Sequence, residues 1–427
     1  MDTRFLLEII IISIIIIILF INKKLNNSIF SPPIFFFLNI TINLLLGISL
    51  IDFSYNILGV IYLVMLAVLV FAMTAPLLKL LQKNGVSNEL RQKSVSEFSY
   101  KKSKLFVIII TGLAILSPFY SVFKNGIHIQ DLLNFQELIS YNSTVAQNRY
   151  SGGNNTGGAI NSLLLVFLYA APMVGGTHRG LFKEEKISYI TFFPSILTVI
   201  LTNTKAGMIA SVVVFLAGWI IGQTVQHRQP KVDFKNFIFT IFFAVVLVIF
   251  LLFAMLLRIG DFSSYMLTSI WDKFMMYAFG DVPAFNSWLT NFQAVSYGFG
   301  KNTFIGIFNL LGLSERVQGL YTDVVYLPKT GLVTNVFSAY RALNMDFSWY
   351  GSMIFILFFC FIATICFSRV SHGGLLTISG FILMNFYFFT MYAKFTSIWT
   401  YSSYIFALCL YGMYLIIIKT KKRSWVN

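Results

Sequence analysis

Apolar runs close to 20 residues recur along the whole chain, and no other feature constrains its fold so strongly. A continuous run of that length matches an α-helix crossing a bilayer. A membrane barrel would instead alternate apolar and polar positions along each strand. In lipid every backbone N–H and C=O must find its partner within the protein, which leaves the helix as the spanning element. Reading apolar windows gives eleven spans, near residues 5–21, 34–52, 57–79, 105–123, 160–177, 188–203, 206–222, 236–257, 349–367, 374–392 and 400–418. Charged residues make up only 11% of the chain and hydrophobic ones 57%, where a soluble domain carries about 25% charged. The expectation is an all-α, polytopic integral membrane protein, one transmembrane domain over residues 1–427. The first run lacks a basic leader and a small-residue cleavage site, so it reads as a retained span.

Charge orients these spans. With the C-terminus in the cytoplasm, the inner segments hold 20 of the 31 Lys and Arg, counting Lys79 at its helix end, and five of the acidic residues. Basic residues in short loops favour the cytoplasmic side. Most of the net charge of +15 is therefore orientation signal and attraction to anionic headgroups, not a nucleic-acid footprint. The three cysteines, Cys360, Cys366 and Cys409, all fall within expected spans, with no metal-type spacing and no place for an external disulfide. Pro194 is expected to kink the sixth span, and Gly218 and Gly222 in the seventh to permit close helix approach.

Two external loops are long: residues 124–159, with the flexible run Arg149–Gly158, and residues 258–348, which hold most of the polar groups of the C-terminal two-thirds. The second is too apolar to be disordered, and loops of that length are usually functional. Within it, Ile270–Phe279 reads as an amphipathic interfacial segment, and Gly280–Asn286 as a turn entering a second short helix.

Basic side chains on this face are few. Arg258 and Arg341 bracket the large loop, Arg149 lies in the smaller one, and Lys205 sits in the turn after the sixth span. Each can snorkel to headgroups. Together they can instead bind the phosphates of a lipid-linked substrate, for which the planar fork of Arg is well matched. Among the outer carboxylates, Asp281 and Asp346 are the candidates to take a proton from an attacking hydroxyl, although either can simply pair with a nearby Arg. No Walker loop, dinucleotide fingerprint, serine elbow or metal-spaced His pair is present.

Three motifs carry a family resemblance. The first is Thr334-Asn335-Val336-Phe337-Ser338, followed by Tyr340-Arg341 and Asp346-Phe347. The second is Gly280-Asp281-Val282-Pro283-Ala284-Phe285-Asn286, and the third is Tyr297-Gly298-Phe299-Gly300-Lys301-Asn302-Thr303-Phe304. In this order within one external loop they resemble the O-antigen polymerase family, the Wzy-type oligosaccharide repeat-unit polymerases. The chain departs from the family pattern in three places. Ser348 stands where a Gly usually follows Asp-Phe, Asp281 replaces a Gly, and Lys205 stands where relatives often carry Arg.

The resemblance implies a GT-C-like helical glycosyltransferase of the bacterial inner membrane, with its active site facing the periplasm and needing neither metal nor other cofactor. It would polymerise undecaprenyl-diphosphate-linked repeat units of O-antigen or capsule. Arg341, Asp346 and Asp281 would be catalytic. Arg258, Arg149, Lys205, Asn335, Tyr340 and Asn286 would bind substrate. Expected partners are the lipid-linked oligosaccharide, membrane lipids and a polysaccharide chain-length regulator, with no nucleic acid. The rival readings are an O-antigen ligase and, in a different class, a lipid-linked oligosaccharide flippase. A flippase predicts charged residues lining a cavity between spans, whereas here Glu8 alone lies clearly mid-span.

Overall fold

Helices take up the apolar runs, with most ends within about five residues of the expected limits. The exception is the expected span 349–367, whose helix already begins at Ala339, inside the expected loop 258–348. The computed structural model describes residues 3–51, 57–83, 98–124, 158–182, 185–227, 230, 234–259, 261, 263–292, 296–314, 321, 323–327, 332–372 and 376–419, with a few positions between 134 and 144. Arg149 lies outside the described residues, and at Arg258 the backbone alone is described.

In chain order the helices are α1 (Thr3–Leu25), α2 (Pro32–Leu50), α3 (Leu58–Lys83), α4 (Tyr100–Lys124), α5 (Gly158–Leu181), α6 (Phe193–Thr202) and α7 (Lys205–His227). They continue as α8 (Phe234–Ile259), α9 (Ser264–Phe279), α10 (Asp281–Asn291), α11 (Ile305–Leu310), α12 (Ala339–Ser371), α13 (Leu376–Tyr392) and α14 (Ser402–Ile417). Among the described residues, seven are long and apolar enough to cross a membrane: α1 to α5, α7 and α12. The chain is thus an all-α, multi-pass membrane protein. The other expected spans fall on shorter apolar stretches, Lys186–Thr202, Ala244–Leu256, Leu376–Tyr392 and Ser402–Ile417. In the long loop β1 (Val325–Leu327) pairs antiparallel with β2 (Leu332–Thr334), with Val325 facing Thr334, and a single antiparallel bridge joins Phe98 to Lys419.

Polar side chains within the apolar helices bond to their own backbone. Thr41, Thr74, Thr111 and Thr364 each donate to the carbonyl four residues earlier, at 2.6–2.8 Å. That bond keeps a hydroxyl satisfied in an apolar surrounding. Glu8, the acid of the first span, is paired too: Arg4 Nε lies 3.5 Å away and Ser49 Oγ donates at 2.9 Å. Pro194 does not kink a helix interior, contrary to the sequence expectation. A 3₁₀ segment, Lys186–Phe192, runs up to α6, and Pro194 sits in the first turn of α6. Its missing N–H falls among donors that have no helical acceptor in any case.

The chain divides into two compact units, residues 1–92 with 272–405, and residues 93–271 with 406–427. In the second, α5 and α7 pack backbone to backbone. A methyl group at Gly222 would meet Gly180 Cα at 2.6 Å, and one at Gly218 would meet Met173 O at 2.5 Å. The expected Gly-x-x-x-Gly contact is therefore made against a glycine-bearing partner helix. Ser103 ties this unit further: its hydroxyl lies 2.8 Å from His178 Nδ1 and 2.6 Å from Tyr414 OH, linking α4, α5 and α14. The first unit has an aromatic core. Tyr62 of α3 packs on Phe285 and Trp349, and its hydroxyl lies 2.6 Å from Ser352 Oγ of α12.

Candidate functional site

Most of the long loop belongs to the first unit, where three of its segments converge on the start of α12. The approach to α12 is set locally. β2 ends at Thr334, whose Oγ1 accepts from Val336 N at 3.1 Å, a turn that short hydroxyl side chains favour. Ser338 takes extended backbone angles at the N-cap, and Ala339 N donates to Ala393 O at 2.6 Å. The helix then begins and carries Arg341 within its first turn.

Arg341 is buried, 5% exposed. Its guanidinium carbon lies 3.8 Å from the ring centre of Tyr321, 4.1 Å from Phe337 and 5.2 Å from Trp288. Rings in such positions attract the cation through their negative faces. One nitrogen, Nη2, donates to Asp323 Oδ2 at 2.5 Å. Nε and Nη1 are buried and have no hydrogen-bond acceptor among the described residues, and neither does Ser338 Oγ one turn earlier. Buried donors left open in this way are rare in folded proteins. A planar cation with two unused N–H groups beside a helix N-terminus is suited to an oxyanion.

Asp281 opens α10, where its charge faces the positive end of the helix. It is buried. Oδ2 accepts from Asn43 Nδ2 at 2.9 Å, while Oδ1 has no partner among the described residues. Burial raises its pKa from the usual carboxylate value to about 6, against the opposing pull of the Lys394 charge and the Asn43 bond. Lys394 is half-buried between the rings of Phe279 and Phe395, and its Nζ reaches Ala278 O at 3.5 Å. Burial lowers its pKa, and the nearby Asp281 partly restores it.

Asp346 is fully buried and has no basic partner among the described residues. Its carboxylate accepts from Asn302 N at 3.0 and 3.1 Å, Asn302 Nδ2 at 2.8 Å and Thr303 N at 2.6 Å. The carbonyls of Met345 and Asp346 take Gly298 N and Phe299 N at 3.1 and 3.2 Å. Gly298 is required here, because a side chain would run into Asp346 Oδ1. The third sequence motif is thus folded onto the end of the first. Two residues further on, Ser348 breaks α12 with φ 65° and ψ −179°.

The remaining sequence candidates are scattered. Asn286 is buried, and its Oδ1 accepts from Gly59 N at 2.8 Å, capping the start of α3. Tyr340 is buried with its ring against Phe285 and Phe389. Asn335 is exposed. Lys205 and Arg258 belong to the second unit. Lys205 donates to Asn203 Oδ1, and Asn203 closes α6 in a left-handed conformation while bonding Ala254 O at 2.9 Å. Of the loop aromatics, Tyr277 and Tyr297 are exposed and Trp288 flanks Arg341.

No family model, curated protein or solved structure matches the chain. The site therefore rests on its own geometry. In the first unit that geometry joins Arg341, Asp281 and Asp346 to residues the sequence did not single out for a site: Asp323, Tyr321, Asn43 and Lys394. They lie tens to hundreds of positions from their partners, so no local pattern could have flagged them.

Proposed function

We propose that the chain is a polymerase of undecaprenyl-diphosphate-linked oligosaccharide repeat units of O-antigen or capsule. It would span the inner membrane eleven times, in a GT-C-like arrangement, with the start of α12 facing the periplasm. The observation that carries this reading is Arg341, a buried guanidinium with two unused donors inside the motif that resembles the family.

In the proposed reaction a hydroxyl oxygen of the acceptor unit attacks the anomeric carbon of the growing glycan. A C–O glycosidic bond forms, and the bond from that carbon to the diphosphate breaks. The lipid diphosphate leaves with the electron pair, and its growing charge is met by Nε–H and Nη1–H of Arg341. The hydroxyl proton passes to Asp281, whose pKa near neutrality and free Oδ1 suit a general base. Asp346 is a positioning residue in this scheme, since its carboxylate is already occupied by the 298–303 turn. Lys205, Arg258 and Arg149 remain candidates for holding substrate phosphates, and a chain-length regulator remains an expected partner.

The test is a surface-polysaccharide gel from a deletion strain carrying wild type or Arg341→Lys. The expected result is a ladder restored by wild type alone, with both proteins at equal levels in the membrane. A normal ladder from the variant overturns the role of Arg341. A deletion strain that accumulates long lipid-linked polymer, with none transferred to the lipid core, indicates a ligase. A deletion strain that leaves unextended units on the cytoplasmic side indicates a transporter.

A further inference from the structure

We infer that Asp323 stands in for a substrate oxyanion at Arg341 and must be displaced for the diphosphate to bind. This rests on the reading of Arg341 as the diphosphate anchor and adds how that site is kept in its empty state.

The pair is asymmetric. The side chain of Arg341 is 6% exposed and that of Asp323 is 60% exposed, although they meet at 2.5 Å. The cation is fixed. Tyr321 and Phe337 lie within about 4 Å of its centre, and its own backbone is in the first turn of α12. The carboxylate is not fixed in this way: Arg341 is its one hydrogen-bond partner among the described residues. A buried guanidinium without any counter-ion would be strongly unfavourable, so a nearby acid is needed while no substrate is present. Asp323 meets that need with one oxygen on one nitrogen and leaves Nε and Nη1 open. A diphosphate brings more charge and enough oxygens to use all three nitrogens.

Two consequences follow for binding. The anion must compete with Asp323, so its apparent affinity is lowered by the fraction of protein in which the acid occupies the site. The competition also selects. A weak single-contact anion gains little over Asp323, whereas one that engages the two unused donors gains more, which favours diphosphate over simple monoanions.

The test uses the full chain purified in lipid nanodiscs, with inorganic pyrophosphate as the probe and calorimetry as the readout. Asp323→Asn keeps the shape of the side chain and removes its charge. It is expected to bind pyrophosphate about three- to five-fold more tightly than wild type, the scale of a partly exposed ion pair. Arg341→Gln is expected to bind it far more weakly, and the double variant to show no gain from the change at 323. Thermal melting establishes that each variant is folded. If Asp323→Asn binds equally or more weakly while binding still depends on Arg341, the exchange is overturned and the reading of Arg341 stands. If binding is indifferent to Arg341→Gln as well, the reading of Arg341 fails and the exchange with it.

Discussion

Asn302 gives Asp346 both its backbone N–H and its side-chain amide, and Thr303 adds a third donor at 2.6 Å. A carboxylate enclosed by N–H groups of a turn 44 residues away is a fastener between two segments. Its capacity to accept a further proton donor from substrate is largely used.

Asp346→Asn is therefore expected to destabilise the protein. Its new NH₂ group would face N–H donors, leaving buried donors opposed and unpaired. Hydrogen bonds to charged groups contribute roughly 1.5–3 kcal/mol each and an unsatisfied buried group costs on that order, so a loss of about 3 kcal/mol is expected. Thermal unfolding in detergent measures it. A variant with unchanged melting but abolished turnover would instead make Asp346 part of the chemistry.

Ser348 is held at φ 65°, ψ −179°, a region populated almost only by glycine and costing other residues about 1–3 kcal/mol. Ser348→Gly is expected to stabilise the protein by about 1 kcal/mol, the remainder being offset by the extra freedom of glycine in the unfolded chain. Ser348→Val is expected to destabilise it. Melting temperatures of the two variants should move in opposite directions, and movement in the same direction would remove the strain argument.

The same residue illustrates what the sequence could tell. The sequence carries Ser348 where the resembled pattern has a Gly, and the backbone there takes a positive φ that glycine adopts more readily. Span positions were legible for the same reason: a period-free apolar run of about 20 residues has few structural options in lipid. A short helix beyond Gly280 was legible, but the turn expected over Gly280–Asn286 was not: Asp281–Asn286 already lies in α10, whose first turn accommodates Pro283. The polar pairings were not legible. Asp281 meets Asn43, 238 residues away, and Arg341 meets Asp323 across a hairpin. Such partners are chosen by tertiary packing, and a lone Asn in an apolar span looks like any other. Asn286 fell within a motif and read as a substrate ligand, yet its side chain caps α3.

Helix contact in the second unit gives a prediction independent of the site. Gly222 lies where any Cβ would sit 2.6 Å from Gly180 Cα, and backbone cannot yield as a flexible side chain can. Gly222→Val is expected to lower stability by about 1–3 kcal/mol or more through overpacking. Gly112, with open space around its Cα, is the control, and Gly112→Ala should be neutral or slightly stabilising. Equal melting of the two variants would discount the close approach.

Asp281 and Lys394 supply the pH dependence. Burial lifts Asp281 from an ordinary value of 3.8 to about 6, and the Lys394 charge holds it from rising further. In the proposed reaction Asp281 is the base and must be ionised to act, so turnover is expected to rise with pH through about 6. Stability runs the other way. The folded pKa lies above the unfolded one, so the stabilisation of the protonated form is complete below about pH 4 and is lost as pH climbs through 6. With about 1.4 kcal/mol per unit, that loss is about 3 kcal/mol. Asp281→Asn should flatten this fall in melting temperature and lower turnover by roughly 10²–10⁴-fold, the usual worth of a general base. Lys394→Met removes the charge that favours ionised Asp281 and should shift the acid limb of the rate profile to higher pH. Initial rates and melting curves from pH 4 to 8 test both variants. An acid limb that survives in Asp281→Asn would assign the titration, and the proton transfer, to another group.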